Sequence, residues 1–571
     1  MNAGAGCEGE PSAEQRSTAG LDPVASPTLA RVMANDRPAP RLFRAIATAL
    51  VWVLVLVGCQ RSSPAPDPAP AARRYRDVTK HTPESVRSDR FRLDLTNKPA
   101  LYRTYPGAEA VPLSAPRFRP VPALEAIAPP QTLRENAGEV DGDVLGTILF
   151  LTGGITRARS SGGDIRATAA AGALYPNELY VITGQLPTMS AGVYHYEPQG
   201  GQLSRLRTGD WRGALAGATD DPGVRDAPAT IVITGILWRS AWKYRERAYR
   251  HLYWDGGMML AHVLAAAEAA RLPASAFAVF VDDPVNQLVG ADGVHEAALA
   301  LVRLGAASAP APGAERVVIP PLTVQPTSLS RSPIDYSEAL RYHAASALPS
   351  VEAVRRIHRA RLDGAQHAGA TAWQALPTPT PSDLTLDAVV GRRSSTRHFA
   401  QRPIAAADLS AVLTLPARGA PADFLREQPT LLETYVIVNA VDGIPPGAYH
   451  CDRDTQRLEQ LRTGDLRDVA GHLCLRQPLA RDASAVLFYL ADLDGVRRAF
   501  GERGDRLAEL EAGLRAGRAY LAAYAVGRGA TGLTFYDDEV TAFFSPHAAG
   551  RSPLLVVAVG VPARRRGHAG Q

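Results

Sequence analysis

Leu206-Arg-Thr-Gly-Asp210 recurs unchanged as Leu461-Arg-Thr-Gly-Asp465, and the fold is read outward from that repeat. Before it, Gly192-Val-Tyr-His195 is matched by Gly447-Ala-Tyr-His450, and Glu178-Leu-Tyr-Val-Ile182 by Glu433-Thr-Tyr-Val-Ile437. After it, Asp282-Asp283 is answered by Asp537-Asp538, and the run from Leu299 to Gly305 by that from Leu554 to Gly560. All these pairs stand 255 residues apart (461 − 206, 537 − 282). One short match is chance; five in one register are a duplicated domain, and a period this long is not a solenoid unit.

The 571 residues are too many for one ordinary core, and 46% hydrophobic residues suffice for globular ones. The net charge of +5, from 62 basic and 57 acidic residues, comes without a basic stripe interleaved with aromatics, so nucleic acid is not an expected partner. Cys7, Cys59, Cys451 and Cys474 lack metal-ligand spacing, so no metal is expected from them, and the last two read as buried thiols rather than a disulfide.

The secondary-structure signals are the same in both copies. Ala229-Thr-Ile-Val-Ile-Thr234 and Ser484-Ala-Val-Leu-Phe-Tyr-Leu490 read as buried strands, and each copy ends in another, at 299–304 and 554–559. The Ala-rich stretches 256–271 and 513–528 are apolar nearly all round and read as interior helices. This order implies an α+β layer fold with a long central helix. Expected boundaries are a leader at 1–58, a tether at 59–74, a first domain at 75–305, a linker at 306–382 and a second domain at 383–566. The linker is rich in Pro, Ala, Ser and Thr, with a helix near Tyr336–Leu362.

The N-terminal region reads as an address. Arg41 to Arg44 precedes the apolar run Ala45 to Val57, shorter than the ~17–25 residues of a spanning helix. Leu56-Val57-Gly58-Cys59 resembles a bacterial lipobox, which implies lipidation at Cys59 and membrane anchoring toward the periplasm or exterior. The alternatives are an uncleaved anchor or a different start; a start at Met33 would give a signal of ordinary length, and the alternative location is the cytoplasm.

Arg393-Ser394-Ser395-Thr-Arg397-His-Phe399 opens the second copy, and two arginines four apart at a helix start would share one face and could hold a phosphate. The segment resembles the Arg-x-Ser-x-Arg/Lys-x-Phe signature of nitroreductases. That family implies FMN at a dimer interface, with residues from both subunits. Gly529-Ala-Thr-Gly532-Leu533 would let backbone amides approach the flavin ring, Gly532 and Leu533 lining it. Arg564, in the run Arg564 to Arg566, either completes the phosphate pocket or belongs to a solvated basic tail. In the first copy, the counterpart of the arginine signature is at best Val86-Arg-Ser-Asp-Arg-Phe91, without the spacing.

Ala171-Gly172-Ala173-Leu174-Tyr175-Pro176-Asn-Glu178 and Lys243-Tyr244-Arg-Glu246-Arg247-Ala-Tyr249-Arg250 resemble two segments of the azoline-dehydrogenase branch of that family. The resemblance implies that Gly172 to Pro176 reach the flavin across the interface and that Lys243 and Tyr244 form an acid/base pair. Aromatising an azoline removes a carbon-bound proton as hydride goes to flavin, so a base is needed beside the ring. The second copy carries Ala499-Phe500 in place of Lys-Tyr and no such loop within 416–429. The losses are complementary, which implies two tandem nitroreductase-like domains as an intramolecular pseudo-dimer with one composite site and a dead mirror. The expected activity is FMN-dependent oxidoreduction of a small or peptidic substrate. The alternatives are an NAD(P)H-dependent nitro- or quinone reductase and a non-catalytic flavoprotein or scaffold of a peptide-modification complex. Peptide maturation in the branch is cytoplasmic, which conflicts with the export signal.

Overall fold

Two antiparallel sheets of seven strands each carry the two copies, with the same strand order in both, in a computed structural model. The structure describes residues 67, 69–128, 138–158, 163–306, 318–362, 372–426, 428 and 430–563. In spatial order the first sheet runs Glu109–Pro112, Gln202–Thr208, Gly192–Glu197, Asn177–Thr183, Ala229–Ile236, Glu296–Leu304 and Ala274–Phe277. The second runs Trp373–Ala375, Arg457–Thr463, Gly447–Asp452, Glu433–Val438, Ala485–Ala491, Ser552–Gly560 and Gly529–Leu533. The α+β tandem architecture is therefore present. Asn177–Thr183, Ala229–Ile236 and Ala485–Ala491 are buried at every residue, which explains their continuous apolar runs in place of alternation.

The halves meet through their central helices, Ala248–Ala269 and Gly504–Ala525, each buried at all but one residue. Glycines set the approach: a β-carbon on Gly513 would lie 2.3 Å from the Trp254 carbonyl oxygen, and one on Gly257 2.2 Å from that of Leu510. Gly513→Ala should therefore push the helices apart and cost ~1–3 kcal/mol. Gly217→Ala, in a helix with open space around it, should be neutral or stabilising by up to ~1 kcal/mol. Thermal unfolding of both variants checks the contrast.

The helices begin two turns before the expected Gly256 and Gly513, because charged residues there are buried in pairs. Arg247 and Arg250 donate to the Asp537 carboxylate at 2.8 and 2.7 Å, and Arg503 and Arg506 donate to Asp282 at 2.9 and 3.4 Å. The paired Asp and Arg residues shared by the copies thus form a reciprocal clamp. Glu246 and Glu502 also act in parallel. Glu246 accepts the N–H groups of Glu338 and Ala339, and Glu502 those of Ala71 and Ala72.

Those acceptors sit at the starts of helices Ser337–Ala345 and Pro70–Val78, whose Tyr342 and Tyr75 rings stack at 5.1 Å. The helix expected near Tyr336–Leu362 is two, Ser337–Ala345 and Val351–Arg359, broken around Pro349, where the missing N–H and fixed φ disfavour continuation. Helix Pro70–Val78 likewise starts inside the stretch read as tether. Val86–Phe91 is not the counterpart of the arginine signature: its first residues close the exposed helix Pro83–Ser88. The twofold pairing instead matches Val121–Ala123 with Leu384–Leu386, through Ala123 N–H to Leu384 O and Leu386 N–H to Val121 O. The sequence that follows, from Pro129 to Ala137, has no arginine pair and lies outside the described residues.

From Asp67 onward the chain forms one compact unit. Cys451 and Cys474 are free and buried. Cys59, the apolar run 45–57 and Arg564 lie outside the described residues. Among the described residues no helix is long and apolar enough to cross a membrane.

Candidate active site

Lys243 and Tyr244 end the helix Leu237–Tyr244, and the glycine loop lies directly on them. A β-carbon on Gly172 would stand 2.7 Å from the Tyr244 hydroxyl and 3.2 Å from Lys243 Nζ. Gly172 has φ +62, Ala173 +55 and Tyr175 +46, so three of four consecutive residues are left-handed. For the two non-glycine residues this costs ~1–3 kcal/mol each. Hydrogen bonds hold the loop in place. Ala171 N–H donates to both Asp255 oxygens (3.0 and 3.1 Å), Arg239 to the Tyr175 carbonyl (2.9 Å), and the Tyr175 hydroxyl to the Asp164 carbonyl (3.1 Å). Leu174, Tyr175 and Pro176 are buried, so only Gly172 and Ala173 face outward.

The electrostatics around this pair are distinctive. Desolvation, and then the positive charge of Arg397, holds the Lys243 ammonium below the ordinary lysine range. Burial, with the nearby Asp255, raises Tyr244, which therefore keeps its proton. The Tyr244 ring packs on His251 at 4.1 Å, and His251 stacks on Trp254 at 4.6 Å. Burial and then Arg247 hold His251 neutral, and neither of its ring nitrogens has a hydrogen-bond partner among the described residues. Asp255 is buried with no cation paired to it among the described residues, and desolvation pushes its carboxyl up to about 8. Its counterpart Glu511, which accepts Leu431 N–H at 2.7 Å, is paired with Arg515 at 3.0 Å.

Arg397 belongs to the second half, so the two halves share this site. The arginine signature follows the helix Leu386–Arg392 rather than opening one. The expected common helical face for Arg393 and Arg397 is therefore absent, because the chain is non-helical from Arg393 to His398. Arg393 is buried and donates to the carbonyls of Ala167 (2.7 Å) and Arg166, which ties it to the first half. The Ser394 carbonyl accepts the Tyr524 hydroxyl at 2.6 Å, and Ser395 bonds the Tyr520 hydroxyl. Arg397 is exposed. Gly532 lies exposed on the edge strand Gly529–Leu533, its N–H donating to Tyr520, while Leu533 is buried. A β-carbon on Gly532 would meet nothing nearer than 3.7 Å.

The mirror position is filled. Ala276 pairs with Val302 as Gly532 pairs with Val557, so the two occupy the same place in their sheets. Ala276 N–H donates to the Pro421 carbonyl at 2.7 Å and forms a parallel bridge with Ala422. Asp423 then accepts Ala278 and Val279 N–H at 2.9 and 3.1 Å. The second copy's substitute for the glycine loop thus covers the first copy's sheet edge.

Sequence reasoning missed Asp255, His251, Tyr520 and Tyr524. A lone carboxylate inside Tyr253-Trp-Asp255-Gly-Gly of an apolar helix was the available signal for the first. The tyrosines carry none, because their roles arise only when Ser394–Ser395 packs on the helix.

A pH dependence follows from Asp255. Its raised value means that the stability linked to its protonated form is complete below the ordinary carboxylate range and is lost as pH rises through about 8. Ionisation above that pH puts a buried charge beneath the loop that the Ala171 N–H offsets only in part, giving a descending limb of activity. Asp255→Asn, whose carbonyl can still accept Ala171 N–H, should remove the limb; an unchanged pH profile would contradict the assignment.

The description "Nitroreductase family" matches residues 390–561. "Putative nitroreductase MJ1384" of Methanocaldococcus jannaschii is 26% identical over 196 residues, covering 32% of this chain and 93% of that protein. A crystal structure described as a "putative nitroreductase" from Anabaena variabilis superposes with TM-score 0.68 at 24% identity, covering 86% of this chain and 99% of that one. The E. coli microcin synthetase McbBCD complex with truncated pro-MccB17 covers 44% of this chain and 96% of its own, at 19% identity and TM-score 0.28. The second half thus matches the nitroreductase family, and the unit built from both halves has the fold of the Anabaena structure.

Proposed function

We propose that the protein is an FMN-dependent oxidoreductase with one composite active site, acting as an azoline dehydrogenase on a small or peptidic substrate. The observation that carries this reading is the convergence of Lys243, Tyr244 and Gly172 of the first half with Arg397 of the second. The family match on residues 390–561 supports the oxidoreductase class.

The residues present fit a flavin on one side only. The edge at Gly532 is open and exposed, whereas Ala276 is covered by Pro421 and Ala422. The Gly532 strand would line the ring, with Ser395 and Arg397 as the nearby hydroxyl and cation. Arg393 fits a phosphate poorly as it stands, since its guanidinium is committed to two carbonyls. Bound FMN supplies hydride acceptance or donation. Lys243, with its depressed pKa, takes the carbon-bound proton as a neutral amine. Tyr244, which keeps its proton, donates a hydrogen bond to the substrate heteroatom. The loop at Gly172–Ala173 closes one wall beside both groups. Cys59 is proposed to tether the protein to a membrane.

Assay of the purified chain on an azoline-containing peptide tests the substrate class. Azole formation supports the dehydrogenase. Turnover confined to a nitroarene or quinone with NAD(P)H would replace it with the reductase reading, which has no use for the Lys-Tyr pair.

A further inference from the structure

Away from that site, the second sheet carries an ordered row of polar side chains. Tyr435 pairs across strands with His450, and His450 with Glu459, so the three stand side by side on one face. His547, from the segment after helix Asp537–Phe544, lies over the row, its ring 4.4 Å from that of His450. Glu459 Oε2 is 3.2 Å from His547 Nε2 and 3.8 Å from His450 Nδ1, and one ligand atom from each of the three residues lies within 4.8 Å of the others.

We propose that His450, Glu459 and His547 bind a first-row divalent cation of the zinc class. Metal–ligand distances of about 2.0–2.2 Å place the ligand atoms of a tetrahedron about 3.3 Å apart, close to the 3.2 and 3.8 Å that separate Glu459 from the two histidines. Two imidazoles and one carboxylate suit zinc better than calcium or magnesium, which take oxygen ligands. The opposite ring nitrogens are already held: His450 Nε2 lies 2.6 Å from Glu433 Oε2, and His547 Nδ1 2.9 Å from the Tyr435 hydroxyl. The Glu433 carboxylate places the His450 proton on Nε2. The Tyr435 hydroxyl, which also reaches the His547 carbonyl at 3.5 Å, can accept from His547 Nδ1. These tautomers turn His450 Nδ1 and His547 Nε2 toward Glu459 as ligands. Arg551 lies 3.7 Å from Glu433 and donates to the backbone carbonyl of His547 at 3.0 Å, so its guanidinium is engaged by groups other than the three ligand atoms.

The first half supplies an internal comparison. Tyr180 and His195 keep the places of Tyr435 and His450, and Glu178 still pairs with His195 at 3.2 Å. Ser204 stands where Glu459 would be, bonded instead to Glu197. The carboxylate and the second histidine are therefore features of one copy alone. The bound ion ties the segment after helix Asp537–Phe544 to two strands of the second sheet, Gly447–Asp452 and Arg457–Thr463, independently of flavin binding.

Tag-free full-length protein, stripped with chelator and titrated with Co2+, tests this. One saturable equivalent with tetrahedral ligand-field absorption, displaced by Zn2+, is expected. Glu459→Ser, which installs the first copy's residue, and His547→Gln should each weaken uptake by more than tenfold. Glu433→Gln should weaken it by about 10–100-fold as an outer partner of His450. No saturable uptake by the wild type would overturn the proposal and leave the three residues as a hydrogen-bonded cluster. Uptake unchanged in both ligand variants would overturn it as well. Circular dichroism of the stripped variants separates lost binding from lost fold.

Discussion

Lys243→Ala is expected to abolish most azoline oxidation, by ~10²–10⁴-fold in kcat, while FMN content and the unfolding midpoint stay at wild-type values. Lys243 is exposed as a residue and pairs with no carboxylate among the described residues, so its removal leaves no buried cavity and no orphaned charge. Desolvation, with Arg397 adding to it, lowers its pKa, so the neutral base is available nearer neutrality than for an ordinary lysine. The ascending limb of the pH–rate profile should accordingly fall below the usual lysine value of about 10.4. Lys243→Arg retains the charge but cannot act as a base near neutrality, and should be as inactive as the alanine variant. Unchanged turnover in either variant, measured with bound flavin quantified in parallel, would remove Lys243 from the chemistry.

The second large effect is on stability. Asp537→Ala should cost ~3–5 kcal/mol, because it leaves Arg247 and Arg250 buried without their carboxylate. Arg76, 3.7 Å from the same oxygen, retains Glu509 at 2.7 Å. Asp282→Ala should behave alike toward Arg503 and Arg506. The guanidinium groups hold both carboxyls below the ordinary range. Their contribution is present above the unfolded carboxylate pKa of about 3.9 and disappears as pH falls toward the depressed folded values. Urea unfolding of wild type and Asp537→Ala at neutral pH, then in acid, measures both. A loss below about 1 kcal/mol at neutral pH would show that the clamp does not hold the halves together.

Much of this architecture was legible because sheet registers preserve spacing. The five matched segments fall on strands, on turns or at a helix start that the fold keeps in place. The equivalence of helix Ser337–Ala345 with helix Pro70–Val78 escaped because the spacing changes: Tyr342 and Tyr75 play one role at a separation of 267 (342 − 75), and only packing reveals it. The early turns of the central helices were hidden for a different reason. Arg250, Arg506 and Glu509 are charged and add nothing to an apolar helix pattern, yet each is buried with a partner from the other half.

The candidate site divides the same way. Lys243, Tyr244, the Gly172 loop and Arg397 were named from the chain and come together in space. Arg393 was named too, but its guanidinium serves the contact between halves, a use that no local pattern encodes. The cover of Pro421 to Asp423 over the Ala276 edge was foreshadowed only by the missing loop.

The most direct test of a single composite site is the flavin stoichiometry of the full chain, from visible absorption after reconstitution with FMN and removal of excess. One FMN per chain is the expected result, with Gly532→Val reducing it by crowding the open edge. Two per chain would contradict the closed mirror, and none would contradict the flavin site itself.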